Sequence, residues 1–263
     1  MLRTHFTLIA RKQLTHDVFE LTYTCPDLSK TSPKAWQYVM FQLAPGLNRA
    51  YSLASFSLGT THQFPQDSNT LTLQHSNTLT FQHSNHPTFT LIIKRIPDGR
   101  GSPMICDAEV GSLLQWMIPL GHFVLRDTPR SKCFIGTGTG FAPLYCQLRE
   151  YSKQQYRNTS IAFIFGVRNF ADAFYEREIL DLWSRFEEFE YVQYFSRESD
   201  FSTFEDSNIP RFQEWYVTDW ITRENINAYE EFYLCGSPAM VKDAREKLEI
   251  LGIEKERVFW EQF

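Results

Sequence analysis

Arg49-Ala50-Tyr51-Ser52, expected between apolar strands, puts a fixed cation, a flat aromatic ring and a small hydroxyl within four residues. In an extended chain alternate side chains share a face, so Arg49 and Tyr51 project together while Ser52 turns to the other side. A guanidinium suits a phosphate and a phenol ring suits stacking on a planar ligand. The competing reading is an Arg/Tyr pair that merely decorates a strand. Lys94 to Ser102 reads KRIPDGRGS, where Gly99 and Gly101 let the backbone approach a ligand closely. Ser102 followed by Pro103 predicts the N-cap and first residue of a short helix, whose free N–H groups form an anion site. A plain β-turn is the alternative.

Further along, Gly136-Thr137-Gly138-Thr139-Gly140 follows the apolar run Cys133 to Ile135 and is followed by Phe141-Ala142-Pro143. A glycine-rich turn from strand to helix is where a dinucleotide pyrophosphate binds. The strict G-x-G-x-x-G pattern fails, because Phe141 and Pro143 stand where the third glycine could fall, so this is a nucleotide loop of another type or a tight connection. Cys235-Gly236-Ser237-Pro238-Ala239-Met240 makes a second strand-to-helix turn. Cys235 is expected at the carboxyl end of a parallel strand, where open α/β sheets bind ligands, or else as a buried structural thiol. The chain closes on Phe259-Trp260-Glu261-Gln262-Phe263.

Two kinds of scaffold must hold these residues. In the first half His5 to Lys12, Val18 to Thr24, Tyr38 to Leu43, Phe89 to Ile96 and Leu113 to Ile118 are rich in β-branched and aromatic residues and are separated by Pro, Gly, Asn and Asp. They read as an antiparallel barrel or sandwich. From Lys132 short apolar runs (Cys133 to Ile135, Ile161 to Phe165, Tyr191 to Phe195, Glu231 to Leu234) alternate with amphipathic stretches at Leu144 to Gln154, Ala171 to Phe186 and Ala239 to Leu251. That alternation predicts βαβ units around a parallel sheet. The boundary is expected in the polar segment 127 to 131. Residues 68 to 91 stand apart as an eight-residue repeat, SNTLTLQH, SNTLTFQH and SNHPTFTL, which reads either as a small β meander or as a loop. Its histidines could meet at a metal or could recur only because the segment was duplicated; no metal site is expected.

Composition limits the classes of function. Of 263 residues, 26 are Lys or Arg and 31 are Asp or Glu, a formal charge of -5 that argues against nucleic-acid binding through a basic surface. With 43% hydrophobic and 22% charged residues the chain can bury a large core. No apolar run approaches the roughly 18 residues of a membrane span, and the amino-terminal segment lacks the apolar stretch of a signal peptide. No membrane association is expected, and the cytoplasm is the expected compartment. Five cysteines, never closer than 13 residues, suggest neither disulfides nor a CxxC metal site.

Taken in order, these motifs resemble those of the ferredoxin-NADP reductase superfamily. RAYS resembles its flavin-binding motif and RIPDGRGS its flavin phosphate loop. GTGTGFAP resembles its nicotinamide pyrophosphate loop, FGVRN its adenosine-side strand end, CGSPAM its nicotinamide-proximal turn, and the terminal Glu-x-aromatic the tail that closes over the flavin in many members. The resemblance spans nearly the whole chain except about residues 58 to 88. It implies a Greek-key β-barrel holding FAD (residues 1 to about 128, with the repeat as an insertion) and a doubly wound α/β domain holding NADPH or NADH (about 131 to 263). The implied activity is an NAD(P)H-dependent reductase that passes electrons to a ferredoxin, a flavodoxin, an oxygenase component or free flavin, working as a monomer.

The resemblance also assigns roles. Arg49, Tyr51, Ser52, Gly101 and Ser102 would hold the flavin; Gly136, Thr137, Gly138, Thr139, Gly140 and Pro143 the pyrophosphate; Arg168, Ser196, Arg197, Gly236, Pro238 and Met240 the rest of the coenzyme. Ser52, Cys235, Glu261 and Phe263 would form the catalytic centre, Glu261 relaying a proton and Phe263 covering the flavin as a gate. Alternatively the tail tucks into the domain interface. Arg197, with Arg211 as a second contact, inclines the choice to NADPH, although Glu198 and Asp200 lie beside it. Lys94, Arg95, Arg100 and Arg126 are expected to form a basic rim for an acidic carrier. The [2Fe-2S] spacing C-x4-C-x2-C is missing from the sequence. The alternative function is a flavin-binding redox sensor or regulatory component without turnover.

Overall fold

The computed structural model describes residues 2–24, 34–35, 37–57, 71–73, 79–81, 86–121, 123–154, 158–201 and 212–263. Contacts divide the chain into two units, Met1–His122 and Phe123–Phe263.

Alternation of apolar and polar residues makes half-buried antiparallel strands in the first unit. They are β1 (Leu2–Gln13), β2 (Val18–Thr24), β3 (Tyr38–Ala44), β4 (Leu47–Ser57), β5 (Leu71–Leu73), β6 (Leu79–Phe81), β7 (Thr88–Lys94) and β8 (Leu113–Leu120). The order β2-β7-β4-β3-β8-β1 closes on itself through a β1–β2 pairing, which gives a six-stranded barrel. Closure removes sheet edges. Phe6, Leu8, Leu21, Tyr23, Phe41, Phe89 and Leu91 fill its interior and are all at most 1% exposed. In the repeat, the first two copies form β5 and β6, which pair antiparallel with each other, and β6 adds to β1 through Ala10 and Arg11. The third copy runs into β7. Residues 71–73, 79–81 and 88–91 of the repeat are therefore strand, with His86 and Pro87 leading into β7; His62, His75 and His83 lie outside the described residues.

The second unit is a parallel sheet of six strands in the order β12-β11-β10-β9-β13-β14. These are β9 (Lys132–Thr137), β10 (Ile161–Val167), β11 (Phe189–Phe195), β12 (Phe212–Glu214), β13 (Glu231–Gly236) and β14 (Val258–Gln262). The four inner strands β9, β10, β11 and β13 are buried along almost their whole length, as expected where helices cover both faces. One face (Cys133, Ile135, Ala162, Ile164, Phe232, Leu234) packs on α5 (Pro238–Ile250), which follows the short α4 (Arg223–Ile226), through Val241, Ala244 and Leu248. Across the sheet, Phe141 of α2 (Phe141–Tyr151) gathers the rings of Phe163, Phe165 and Phe174. The side chain standing where a third glycine could fall is thus a core aromatic.

Two local expectations change. The helix read from Ala171 to Phe186 is confined to α3 (Glu176–Trp183). Asn169 and Asp172 cap each other across a separate short turn, Phe170–Asp172, and Tyr175 takes a left-handed φ of 67°, so the helical register restarts only at Glu176. Arg49 to Ser52 do not lie between strands but inside β4, paired to β3 from Tyr38↔Ser52 to Phe41↔Arg49.

Residues 123 to 130 belong by contact to the second unit, which begins a few residues ahead of the polar segment 127 to 131. Gln147 Nε2 donates to Phe123 O (2.7 Å), the Arg126 N–H to Tyr233 Oη (3.0 Å), and Lys132 Nζ to the carbonyls of Thr128 (2.9 Å) and Arg130 (3.0 Å). Lys132 also meets Glu231 at 3.0 Å, with both side chains fully buried, and Tyr233 Oη donates to Glu231 Oε2 at 2.9 Å. Burial depresses the Lys132 ammonium below its usual value.

Candidate cofactor sites

Each unit carries its own cluster. In the barrel, β4 leaves Arg49 exposed, Tyr51 half-buried and Ser52 buried, the alternation expected of a strand. The Tyr51 ring meets Phe41 edge-on at 5.5 Å, and burial pushes its phenol up to about 12, so it is neutral. Beyond β7 the chain turns through Gly99, whose N–H donates to Ile96 O (2.9 Å), into α1 (Ser102–Cys106). Here the sequence expectation is corrected: Gly101, not Ser102, is the N-cap, and the Ser102 hydroxyl accepts the Ile96 N–H at 3.0 Å instead. The hydroxyl ties the loop shut and leaves the first N–H groups of the helix without a side-chain cap.

The stem of Arg49 lies directly over Gly101. A Cβ placed there would be 2.8 Å from Arg49 Cγ and 3.1 Å from Leu43 Cδ1. Two motifs about fifty residues apart thus form one cradle, with a guanidinium beside uncapped backbone donors. Among the described residues Arg49 bonds only the neighbouring Asn48 carbonyl, at 2.8 Å, so its charge is available. This donor set fits an anionic, phosphate-bearing group with a planar ring.

In the second unit the turns after β9 and β13 interlock. A Cβ on Gly140 would collide with the carbonyl of Cys235, and one on Gly236 would collide with the Thr137 hydroxyl. The Ser237 N–H reaches Thr137 Oγ1 at 3.4 Å, and Ser237 Oγ caps α5 by accepting from Met240 N (3.3 Å) ahead of Pro238. Gly138 takes a φ of 56° with nothing within 4 Å of where a Cβ would stand, so the turn from Thr137 to Thr139 faces open space. Pro143 is buried in the first turn of α2. A glycine turn opening onto a helix start at the carboxyl ends of neighbouring parallel strands fits a dinucleotide pyrophosphate.

Cys235 stands at the predicted strand end, but its side chain is wholly enclosed, and burial together with the Glu261 charge pushes its thiol well above the ordinary value. It is no nucleophile. β14 pairs parallel with β13, with Cys235 opposite Glu261, and the Phe263 N–H donates to Gly236 O at 3.2 Å. The tail is thus a strand, with half-buried Glu261 and 53% exposed Phe263 two residues apart on one face. At the other side of the sheet, Ser196 and Arg197 continue the β11 ladder: their N–H groups donate to Val167 O (3.0 Å) and Arg168 O (2.8 Å). Arg211 lies outside the described residues.

Two of the four cations expected at the basic rim are paired with carboxylates. Lys94 pairs with Asp17 at 2.7 Å, Arg95 grips Asp107 through two bonds of 2.8 Å, and the Arg126 guanidinium lies 4.5 Å over the Phe259 ring. Arg100 alone of the four has no such partner among the described residues.

The family model described as "Oxidoreductase NAD-binding domain" matches residues 134–246. Among curated proteins, the chain is 32% identical over 178 residues to the reductase component of propane 2-monooxygenase from Mycolicibacterium smegmatis, covering 65% of this chain and 49% of that protein. It is 25% identical over 257 residues to reductase component 2 of terephthalate 1,2-dioxygenase from Comamonas sp., covering 93% of this chain and 66% of that protein. The chain therefore spans about half the length of the first relative and about two thirds of the second. Among solved structures, a ferredoxin NADP+ reductase from Neisseria gonorrhoeae with bound FAD and NADP superposes with a TM-score of 0.69 at 17% identity, covering 99% of this chain and 98% of that one.

Proposed function

We propose that this chain, whose barrel-plus-α/β fold is that of a ferredoxin NADP+ reductase and whose second unit matches an NAD-binding oxidoreductase domain, is a flavoprotein reductase of the ferredoxin-NADP reductase superfamily. It takes a hydride from a reduced nicotinamide nucleotide onto FAD and delivers electrons to a separate acceptor, of which an oxygenase component is the leading class. The observation that carries this reading is the pair of interlocked turns, 136–140 and 235–240, at neighbouring strand ends beside the Glu261–Phe263 tail. A nicotinamide coenzyme held at those turns would supply the hydride, and a flavin held by the barrel would accept it and release electrons.

The chain's own residues supply binding, alignment and exclusion of water. Arg49 and the start of α1 would hold the flavin phosphates, Tyr51 would offer its ring for stacking, and Ser52 would offer a hydroxyl to the flavin. Backbone N–H groups of 137–140 would hold the coenzyme pyrophosphate. Enclosed Cys235, a neutral thiol, shapes the nicotinamide end rather than attacking it. Glu261 and Phe263, at the end of β14 beside Cys235, would line the nicotinamide end of the coenzyme site, Glu261 as a proton holder and Phe263 as a ring for stacking. Arg168 and Arg197, exposed and without carboxylate partners among the described residues, favour NADPH over NADH.

Among the described residues no helix is long and apolar enough to cross a membrane. The test begins with colour: purified chain mixed with FAD or FMN should retain flavin absorbance after desalting, and a colourless product with both contradicts the proposal. Reduction of ferredoxin, flavodoxin, oxygenase components and small dyes at two salt concentrations then identifies the acceptor. Turnover of dyes alone, independent of salt, would remove the carrier protein.

A further inference from the structure

The ends of β10 and β11 present two arginines on adjacent backbone rungs, since the Arg197 N–H donates to Arg168 O at 2.8 Å. Both side chains are exposed, and neither has an ion pair among the described residues. The next residue, Glu198, does not neutralise them. Its Oε2 accepts the Phe170 N–H at 3.1 Å, and its Oε1 accepts those of Ser199 (3.0 Å) and Asp200 (3.4 Å). Phe170 opens the turn Phe170–Asp172, two residues after Arg168. One carboxylate therefore clasps both arginine-bearing loops. Asp172 Oδ2 accepts the Asn169 N–H at 3.3 Å, and Phe170 packs edge-on to Phe195 (4.6 Å) and Phe201 (5.3 Å), so the loop is also fixed from its other side.

From this geometry we infer that Glu198 is a positioning residue for coenzyme selection: it holds Arg168 and Arg197 together as a ready-made dianion site, so that this end of the sheet prefers a nucleotide carrying a 2′-phosphate. The inference rests on the nicotinamide reading above. An acidic residue near such a strand end selects the unphosphorylated coenzyme when it accepts from the ribose diol. Here the carboxylate oxygens already accept three backbone bonds. Those donors hold the carboxyl below its ordinary value, and so charged at neutral pH. Loops ordered before the ligand arrives lose less freedom on binding, which strengthens the contact that needs both arginines more than the contacts that need neither.

The test uses the full chain and two fragments, adenosine 2′,5′-bisphosphate and 5′-AMP, with binding measured by calorimetry and exchange of the Phe170 amide measured alongside. Unmodified protein should favour the bisphosphate by more than about tenfold, as charge-assisted bonds imply. Glu198→Ala should lose about tenfold for the bisphosphate but less than about twofold for AMP, and should expose the Phe170 amide to exchange. Glu198→Gln, whose single amide oxygen can hold only one of the two loops, should fall between. Bisphosphate and AMP binding unchanged in Glu198→Ala, or weakened equally, overturns the inference, as does equal affinity of the unmodified chain for both fragments. An unmodified chain that binds neither overturns the nicotinamide reading as well.

Discussion

The two units treat charge in opposite ways. Through residue 122 the sequence has 9 Lys and Arg against 7 Asp and Glu, a balance of +2; from residue 123 it has 17 against 24, a balance of -7. In the first unit the described ion pairs, Lys94–Asp17 and Arg95–Asp107, stay at the surface, and the barrel interior is apolar and aromatic. Although more acidic, the second unit buries a complete ion pair, Lys132–Glu231, and ties residues 126 to 131 to it. The ligand cradles differ in the same sense. The barrel builds its cradle from a flexible side chain laid over a glycine, whereas the α/β unit builds its own from backbone pressed on backbone. Substitutions should therefore be absorbed in the first unit and felt in the second.

The largest effect is expected at Lys132. Lys132→Ala leaves Glu231 buried without its cation, at a cost of about 3–5 kcal/mol, and thermal unfolding should show the second unit melting well before the first. Coincident melting at the unmodified temperature would mean that the pair carries no special weight.

Next come the glycines, compared in parallel. Gly140→Ala drives a methyl group into the Cys235 carbonyl, which cannot yield, and should cost about 1–3 kcal/mol along with nucleotide binding. Gly101→Ala meets the Arg49 stem, which can swing aside. Its melting temperature should barely move while flavin affinity falls by about tenfold through the displaced guanidinium. Equal destabilisation by both substitutions would erase the contrast.

Smallest is the surface pair. Arg95 holds the Asp107 carboxyl below its usual value, so the contribution of the pair is present above the ordinary carboxylate pKa of 3.8 and is lost as pH falls through the lower folded-state value. At neutral pH Asp107→Ala should shift melting only marginally, and that small difference should vanish in acid. A difference that grows as pH falls would contradict the assignment.

Much of this was legible in the sequence, because period and punctuation report burial directly. β9, β10, β11 and β13 are short apolar runs on both faces, and GTGTG marks its turn by composition alone. What escaped depends on tertiary contact. The Ser102 hydroxyl is recruited by Ile96 rather than by the helix it precedes, and nothing local distinguishes those choices. RAYS lies inside a strand because its pairing partners are on β3, a short way upstream in sequence but set beside it only after folding. Lys132 reads as a strand-edge lysine until Glu231 arrives from about a hundred residues away. The clasp at Glu198 was visible only as an acid beside an arginine, which suggests the opposite coenzyme preference. Arg95 likewise looks free until Asp107 is placed against it.

The most direct test of the central claim is anaerobic rapid mixing of the FAD-loaded chain with NADPH and, separately, NADH. Bleaching of the flavin band is expected, with a rate that saturates in nucleotide and a higher efficiency for NADPH. A flavin that stays oxidised with both nucleotides would contradict the claim and leave a flavin-binding protein without turnover.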